Sequence, residues 1–325
     1  MNFRKTSLAL GVAALAAAMP VSATNVVVSI KPLELVVKAV AGDSMNVSTI
    51  VPPGSSPHNY NMKPSQRRAL DQADAIFWVG PEMETFLSRL LGGHEFEGKV
   101  LAFTEPTTND TDAHHDEHDD HDDHDDHDDH GNHGDHDDHS DHDEHGDHHH
   151  DHGTGEDPHI WVDPHKALEM AKVIHAKLST LEGVNISELD ANLAHFEQNL
   201  HTAEQSIKES LRQLEGISLF AYHSALERFT EHYELELAGV LALNPELSPG
   251  ARHLAEVQNK LRKANHPCLL TEPQFNRQWW RSITDGINVT ISTWDPLAID
   301  IESTANGYIE FQQSIADAVL ECLPK

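Results

Sequence analysis

Short apolar runs alternate with amphipathic segments through the first hundred residues. The runs are four to six residues long and rich in apolar and β-branched side chains, as expected for buried strands. The segments between them carry apolar residues at helical spacing. This alternation predicts a parallel sheet covered by helices on both faces. The predicted strands are 25–30, 47–51, 75–79 and 100–103, and the predicted helices are 32–41, 64–72 and 82–91.

The same alternation returns in the last third of the chain, after a predicted helix at 165–181. A second parallel sheet with its own helices follows from it. The predicted strands there are 217–222, 236–241, 268–271 and 288–292, and the predicted helices are 224–233, 251–264, 279–285 and 307–323.

Residues 187–214 contain no proline or glycine and are rich in polar side chains. A helix of this length spans about 40 Å, which suits a connector between two α/β regions better than a core element. We therefore predict an α/β fold with two lobes, each a parallel sheet flanked by helices, joined by one long helix, with a ligand held between the lobes. The predicted boundaries are an N-terminal lobe at 24–186, a connecting helix at 187–215 and a C-terminal lobe at 216–325.

Residues 112–152 form an insertion made almost entirely of histidine and aspartate, which we call the His/Asp tract. From His115 to His148 a histidine falls at every third position, a period that matches neither helix nor strand. Because the tract has almost nothing apolar to bury, we predict that it is disordered. Its 16 imidazoles suit a divalent cation such as zinc, nickel or cobalt, and a plain solvated acidic linker is the alternative.

The formal net charge of −32 comes mainly from this part of the chain. Residues 110–151 hold 20 acids and no lysine or arginine, which leaves only −12 for the remainder. A mildly acidic remainder argues against nucleic-acid binding.

The N-terminus has the pattern of a secretory signal. Arg4 and Lys5 precede a short apolar run at 8–19, and small residues follow at 21–23. We therefore expect residues 1–23 to be a signal peptide and the mature chain to be exported.

The chain has two cysteines, Cys268 and Cys322. In the oxidising surroundings of an exported protein we predict that they form a disulfide, and a cysteine metal site is the alternative. The disulfide would attach the last helix to the second lobe.

Three histidines and one aspartate share a sequence context that differs from that of the other histidines. His58 follows a strand and a Pro/Gly turn, His159 precedes an apolar segment, and His223 ends a strand; Asp295 also follows a strand. Ligands in parallel α/β sheets bind beyond the carboxyl ends of strands, so these side chains are candidates to converge. Three imidazoles with a carboxylate or water form a tetrahedral set that zinc accepts, although each residue alone is equally compatible with a core or capping role.

Six further histidines fall on predicted helices, where we interpret them as exposed or hydrogen-bonded surface side chains. They are His165, His175, His195, His201, His232 and His253.

Six motifs in order give the sequence a family resemblance. They are PPGSSPHNY at 52–60, WVGPEME at 78–84, DPHIWVDP at 157–164, FAYHSALERF at 220–229, TEPQF at 271–275 and TWDPL at 293–297. Together they resemble the zinc-specific, cluster A-I solute-binding proteins of bacterial ABC importers, over nearly the whole mature chain.

The resemblance implies two pseudo-symmetric lobes joined by a rigid helix, with Zn²⁺ bound between them in the periplasm. The family ligands correspond to His58, His159 and His223, and an occasional fourth carboxylate corresponds to Asp295. Some members carry a glutamate before the first histidine, where this chain has Pro57, so the fourth donor is either Asp295 or water.

The function implied is capture of Zn²⁺ as cargo and its delivery to an inner-membrane ABC permease with its ATPase. We expect a monomer that is not an enzyme. The alternatives are a periplasmic metal buffer or chaperone without a permease partner, and a zinc hydrolase, against which the chain lacks a His-Glu-x-x-His motif.

Overall fold

The computed structural model describes residues 23–105, 157–242, 250–275 and 277–324. The predicted signal peptide, apart from residue 23, and the whole His/Asp tract lie outside these residues. None of the helices within the described ranges is both long and apolar enough to cross a membrane.

The first lobe contains a parallel sheet whose strands follow the order β2-β1-β3-β4. All four residues of β3 are buried, as expected for a strand covered on both faces. The first helix, α1, begins with a proline in its first turn, where a missing N–H costs nothing. The elements are β1 (Asn25–Val28), α1 (Lys31–Ala41), β2 (Asn46–Thr49), α2 (Pro64–Asp71), β3 (Ala75–Trp78), α3 (Thr85–Leu91) and β4 (Val100–Ala102).

The second lobe repeats this topology, because its parallel strands follow the equivalent order β6-β5-β7-β8. The predicted fold class is therefore confirmed, including the pseudo-symmetry of the two sheets. The elements are β5 (Ser218–His223), α6 (Glu227–His232), β6 (Leu237–Ala242), α7 (Ala251–Lys263), β7 (Pro267–Thr271), α8 (Arg277–Thr284), β8 (Thr290–Thr293) and α9 (Gly307–Leu320).

Two further helices, α4 (Pro164–Leu178) and α5 (Ile186–Leu211), separate the sheets. The connecting helix α5 begins one residue before the predicted boundary and is 26 residues long, which corresponds to about 39 Å. The side chain of Asn185 caps its first turn by accepting from the N–H of Glu188. The last predicted residues of the helix form a tighter 3₁₀ turn, Arg212–Leu214.

One hydrophobic core runs through both lobes, because α1, α4, α5 and α9 pack on one another between the sheets. At the start of α9, a Cβ on Gly307 would lie 2.5 Å from the backbone carbonyl oxygen of Glu302 and 2.8 Å from Leu35 Cδ2 of α1, so only glycine allows this approach. The hydroxyl of Tyr308 on α9 donates to the carbonyl of Trp161 at 2.9 Å. The C-terminal helix therefore supports the segment that carries His159.

The structure contains the predicted disulfide. Cys268 lies in β7 and Cys322 follows α9, with Cα atoms 5.6 Å apart, and both side chains are buried. The bond joins the end of the C-terminal helix to a central strand of the second sheet.

Candidate metal centre

The three predicted histidines come from both lobes. His58 lies in the loop after β2, His159 lies just before the 3₁₀ turn Ile160–Val162 that leads into α4, and His223 is the last residue of β5. The carboxyl ends of the two parallel sheets face each other here, which is the location predicted for a ligand in α/β folds. The structure thus brings together side chains that are far apart in the sequence.

The three imidazoles form a compact group. Ring centroids are 4.6 Å apart for His159 and His223, 5.5 Å for His58 and His159, and 5.7 Å for His58 and His223. One nitrogen from each ring lies within 4.8 Å of the other two. Three imidazoles on one tetrahedral zinc, with Zn–N of about 2.0–2.1 Å, would have centroids roughly 5 Å apart. The observed spacing fits a shared ion.

The loop that carries His58 is held by Gln66 at the start of α2. The amide nitrogen of Gln66 donates to the carbonyl of Ile50 and to the hydroxyl of Tyr60, and its amide oxygen accepts from the N–H of Lys63 at 2.7 Å. These bonds hold the loop between β2 and α2 in one conformation, which gives the side chain of His58 a defined position.

His159 is oriented by a carboxylate. Its Nδ1 lies 2.6 Å from Asp157 Oδ1, so Nδ1–H donates and Nε2 is left available to bind a metal. Arg228 of the second lobe holds Asp157 in turn: its Nε lies 3.4 Å from Oδ2 and its Nη2 donates to the Asp157 carbonyl. This contact connects the two lobes directly beneath the cluster.

His223 lies beside a second buried carboxylate, Glu272. Glu272 follows β7, is 4% exposed, and places Oε1 3.4 Å from His223 Nδ1. Among the described residues, neither ring nitrogen of His223 has a hydrogen-bond partner, although the residue is only 3% exposed. Buried polar atoms of this kind normally have partners, so these nitrogens point to a ligand.

The surroundings favour the neutral form of His58 and His159. Burial, together with the nearby His159 and His223, lowers the pKa of His58 to about 3. Burial also lowers the pKa of His159, against the opposing effect of its bond to Asp157. Burial alone would raise the pKa of Asp157, but the bond from His159 and the charge of Arg228 lower it. Neutral imidazole is the form that binds metal, so the cluster is prepared for a cation.

Asp295, the predicted fourth donor, has a different set of contacts. Its Oδ1 accepts from the side chain of Gln274 and from the N–H of Leu297, and its Oδ2 accepts from the N–H of Ile299 at 2.6 Å. The carboxylate therefore shapes the loop after β8. This loop reaches the cluster through Pro296, whose carbonyl accepts from Trp161 Nε1 at 2.8 Å. The assignment of Asp295 as a metal ligand stays a prediction.

The space between the three rings is small. It measures about 20 Å³ and is lined by the three histidines with Glu272, Phe275 and Trp161 among its neighbours. A volume of this size admits one water-sized species, whereas pockets for organic ligands are roughly 300–1,000 Å³. The site can hold one ion.

Sequence reasoning overlooked Asp157 and Glu272 as partners of the histidines. Both belong to motifs that the sequence displays, DPHIWVDP and TEPQF, and Glu272 directly follows a strand. The rule that located His223 at a strand end would have located Glu272 as well. No sequence signal assigns either carboxylate to a particular ring nitrogen, because that pairing depends on the packing of the lobes.

Asp157→Asn is expected to weaken zinc binding by about 10- to 100-fold, because His159 would lose the carboxylate that orients it and increases its basicity. Competition with a chelator of known affinity would measure the change. Asp285→Asn, at an exposed aspartate, serves as the control and should leave affinity unchanged. Equal affinity for Asp157→Asn and the wild type would contradict the role given to Asp157.

Comparisons with a family model and with known proteins match one family over nearly the whole chain. Residues 26–322 match the family described as "Zinc-uptake complex component A periplasmic", ZnuA. The protein named high-affinity zinc uptake system protein ZnuA from Yersinia pestis is 33% identical, over 92% of this chain and 91% of that one. Its namesake from Paracoccus denitrificans is 35% identical, over 98% of each chain.

Solved structures share the fold. A crystal structure of ZnuA superposes with a TM-score of 0.66 at 22% identity, covering 91% of this chain and 99% of that one. AdcAII of Streptococcus pneumoniae superposes with a TM-score of 0.67 at 20% identity, covering 91% and 98%. With a family match over nearly all described residues and relatives above 30% identity, this chain belongs to the ZnuA family of periplasmic zinc-uptake components.

Proposed function

We propose that this protein captures one Zn²⁺ ion in the periplasm between its two lobes and delivers it to an inner-membrane ABC permease with its ATPase. Relatives covering more than nine-tenths of the chain are named high-affinity zinc uptake system proteins, which supports this function. The observation that carries it is the convergence of three imidazoles on a space for one ion, with neither ring nitrogen of His223 hydrogen-bonded among the described residues.

The ligands in this proposal are His58, His159 and His223, each through one ring nitrogen. Asp157 orients His159 by contacting its Nδ1, which directs Nε2 towards the ion. The carboxylate of Glu272 lies 3.4 Å from Nδ1 of His223 without a hydrogen bond between them. The fourth position is taken by Asp295 or by water. Ligation by Asp295 would require it to release some of the backbone bonds that it accepts in the loop after β8, and water would require no such change.

A cargo site explains the cavity better than a catalytic site does. A zinc hydrolase needs room for a substrate beside the metal, and about 20 Å³ leaves none. Two of the nearby carboxylates are also engaged, Asp157 with His159 and Asp295 with its own loop. We therefore propose a binding protein without enzymatic activity.

The proposal also includes a signal peptide at 1–23, an N-terminal lobe at 24–186, a connecting helix at 187–215 and a C-terminal lobe at 216–325. We propose that the functional form is a monomer. Each lobe contributes at least one metal ligand, so one chain suffices to complete the site.

Delivery can be tested with the permease and its ATPase reconstituted in lipid vesicles. We expect the zinc-loaded protein to stimulate ATP hydrolysis and zinc uptake, and His223→Ala to stimulate neither. Tight zinc binding without any stimulation would support the metal-buffer alternative and overturn delivery.

Deletion of 112–152 is expected to lower the number of zinc ions bound per chain and to spare one tight site. Because its composition predicts disorder, we expect the His/Asp tract to bear an ordering cost for each ion and to bind more weakly than the cluster of three histidines. Isothermal titration calorimetry of the full chain and the deletion variant would measure both stoichiometry and affinity. Loss of the tight step on deletion would show that the tract, and not the cleft, holds the high-affinity ion.

A further inference from the structure

A second group of histidines and carboxylates lies where both lobes meet the connecting helix. Asp163 and His165 stand at the start of α4, Glu204 lies in the middle of α5, and His232 ends α6. The sequence alone suggests that His165 and His232 are ordinary surface histidines of two separate helices. The fold instead brings one ligand atom from each of Asp163, His165 and His232 within 4.8 Å of the others.

Glu204 closes the group from the connecting helix. Its Oε1 lies 3.0 Å from His232 Nε2 and 3.4 Å from His165 Nε2. Ligand atoms about 2.0–2.1 Å from a tetrahedral zinc lie roughly 3.3 Å from one another. The two measured distances bracket that spacing, and the two imidazole rings are perpendicular with centroids 4.5 Å apart.

The remaining carboxylate, Asp163, is placed to orient the ring of His232, as carboxylates do for histidine ligands in metal sites. Asp163 Oδ1 lies 3.5 Å from His232 Nδ1, on the opposite side of the ring from Glu204. Asp163 is itself fixed, because its Oδ1 caps α4 by accepting from the N–H of His165 at 2.7 Å. In metal sites, a carboxylate on one ring nitrogen fixes the tautomer of the histidine whose other nitrogen binds the metal.

Burial and charge also favour a cation at this position. The side chains of His232, Glu204 and Asp163 are 11%, 16% and 19% exposed, and only His165 faces solvent, at 72%. Among the described residues, Asp163 and Glu204 form ion pairs with these histidines alone. Two largely buried carboxylates without a lysine or arginine partner attract a positive charge.

A buried hydroxyl beside the group supplies an independent sign of a ligand. Tyr233 is 4% exposed, its ring packs against His232 with centroids 4.6 Å apart, and its hydroxyl has no hydrogen-bond partner among the described residues. An ion with a bound water would give it an acceptor.

We propose that His165, His232 and Glu204 bind a second divalent cation, zinc or the chemically similar cobalt or nickel, with Asp163 orienting His232. Two imidazoles and one carboxylate are a donor set that these metals accept, with water in the fourth position. The ion would join α4 of the first lobe, the connecting helix α5 and α6 of the second lobe. This site is separate from the three-histidine cluster, so its existence does not depend on the proposed transport function.

The competing explanation is a metal-free ion pair, in which a protonated His232 bridges Asp163 and Glu204. That arrangement gives His165 no necessary role. The two explanations therefore differ in whether zinc binds to His165, His232 and Glu204.

The test uses crystals of the full chain grown with excess zinc and an anomalous difference map at the zinc edge. We expect one peak at the three-histidine cluster and a second peak bonded to His165, His232 and Glu204. His165→Ala/Glu204→Gln should lose the second peak and keep the first. His201→Ala, at an exposed histidine on α5, is the control and should keep both peaks.

Equilibrium dialysis of the same full-length proteins gives the matching solution result. We expect the double variant to bind one zinc equivalent fewer than the wild type and the His201→Ala control. A wild-type map without the second peak would overturn the proposal. A peak in the crystal without the one-equivalent difference in dialysis would indicate binding at crystal concentration only, and would also overturn it. Loss of the first peak alone would contradict the proposed function and leave the second site standing.

Discussion

His223→Ala is expected to weaken zinc binding by at least about a hundredfold, the largest change in affinity among the single substitutions considered. Protein zinc sites with four ligands bind with about 10–16 kcal/mol, so each ligand contributes about 3 kcal/mol, which is more than a hundredfold in affinity. His223 ends a central strand and is only 3% exposed, so the sheet fixes the position of its ring. Isothermal titration calorimetry in the 112–152 deletion background would isolate the tight step from weaker binding.

His195→Ala is the matched control for this experiment, because His195 is exposed on α5 and away from the cluster. It should bind zinc like the parent protein. Circular dichroism of both variants would show that they are folded. Unchanged tight binding in a folded His223→Ala protein would prove the assignment of the site wrong.

Loss of the Cys268–Cys322 disulfide is expected to lower the free energy of unfolding by about 4 kcal/mol, which is the largest stability effect that we predict. The bond closes a loop with a sequence separation of 54, and the chain-entropy model gives this value for a loop of that length. The expected loss is large because a native protein of this size has only about 5–15 kcal/mol of stability in total. Urea denaturation of the oxidised and reduced wild-type protein would measure it.

The variant Cys268→Ala/Cys322→Ala separates the bond from other effects of the reductant. Its unfolding should be the same with and without reductant, and its midpoint should lie near that of the reduced wild type. Zinc affinity should change little, because neither cysteine lines the three-histidine cluster. Equal midpoints for the oxidised and reduced wild type would contradict the stabilising role of the bond.

The elements of the fold were predictable because their signals are local. Each strand of the two sheets was recognised within about two residues from an apolar run, and the connecting helix from a long stretch free of proline and glycine. The beginning of α3 was predicted three residues too early. Glu84 accounts for the difference, since its buried carboxylate accepts from the N–H groups of Val79 and Gly80 and holds the preceding residues in a turn.

The candidate metal centre was predictable in part. In each parallel sheet, ligands bind beyond the carboxyl ends of the strands. His58 follows β2 and His223 ends β5, so their positions in the sequence were enough to make them candidate ligands. His159 was selected from its apolar context and by resemblance. The roles of Asp157 and Glu272 were not predictable, because a carboxylate partner is chosen by the distance between side chains from different segments.

The sequence by itself determined the order of strands and helices and indicated three histidines as candidate metal ligands, because hydrophobic periodicity and strand ends are properties of short segments. Only the tertiary structure decided how those segments meet. It directed Asp295 into its own loop, paired Asp157 with His159 across from Arg228, and joined His165 to His232 through Glu204 on the connecting helix. The physical reason is that charge pairing and metal geometry act over a few ångströms in space, whereas Asp157 and Arg228 are 71 positions apart along the chain and His58 and His223 are 165 positions apart.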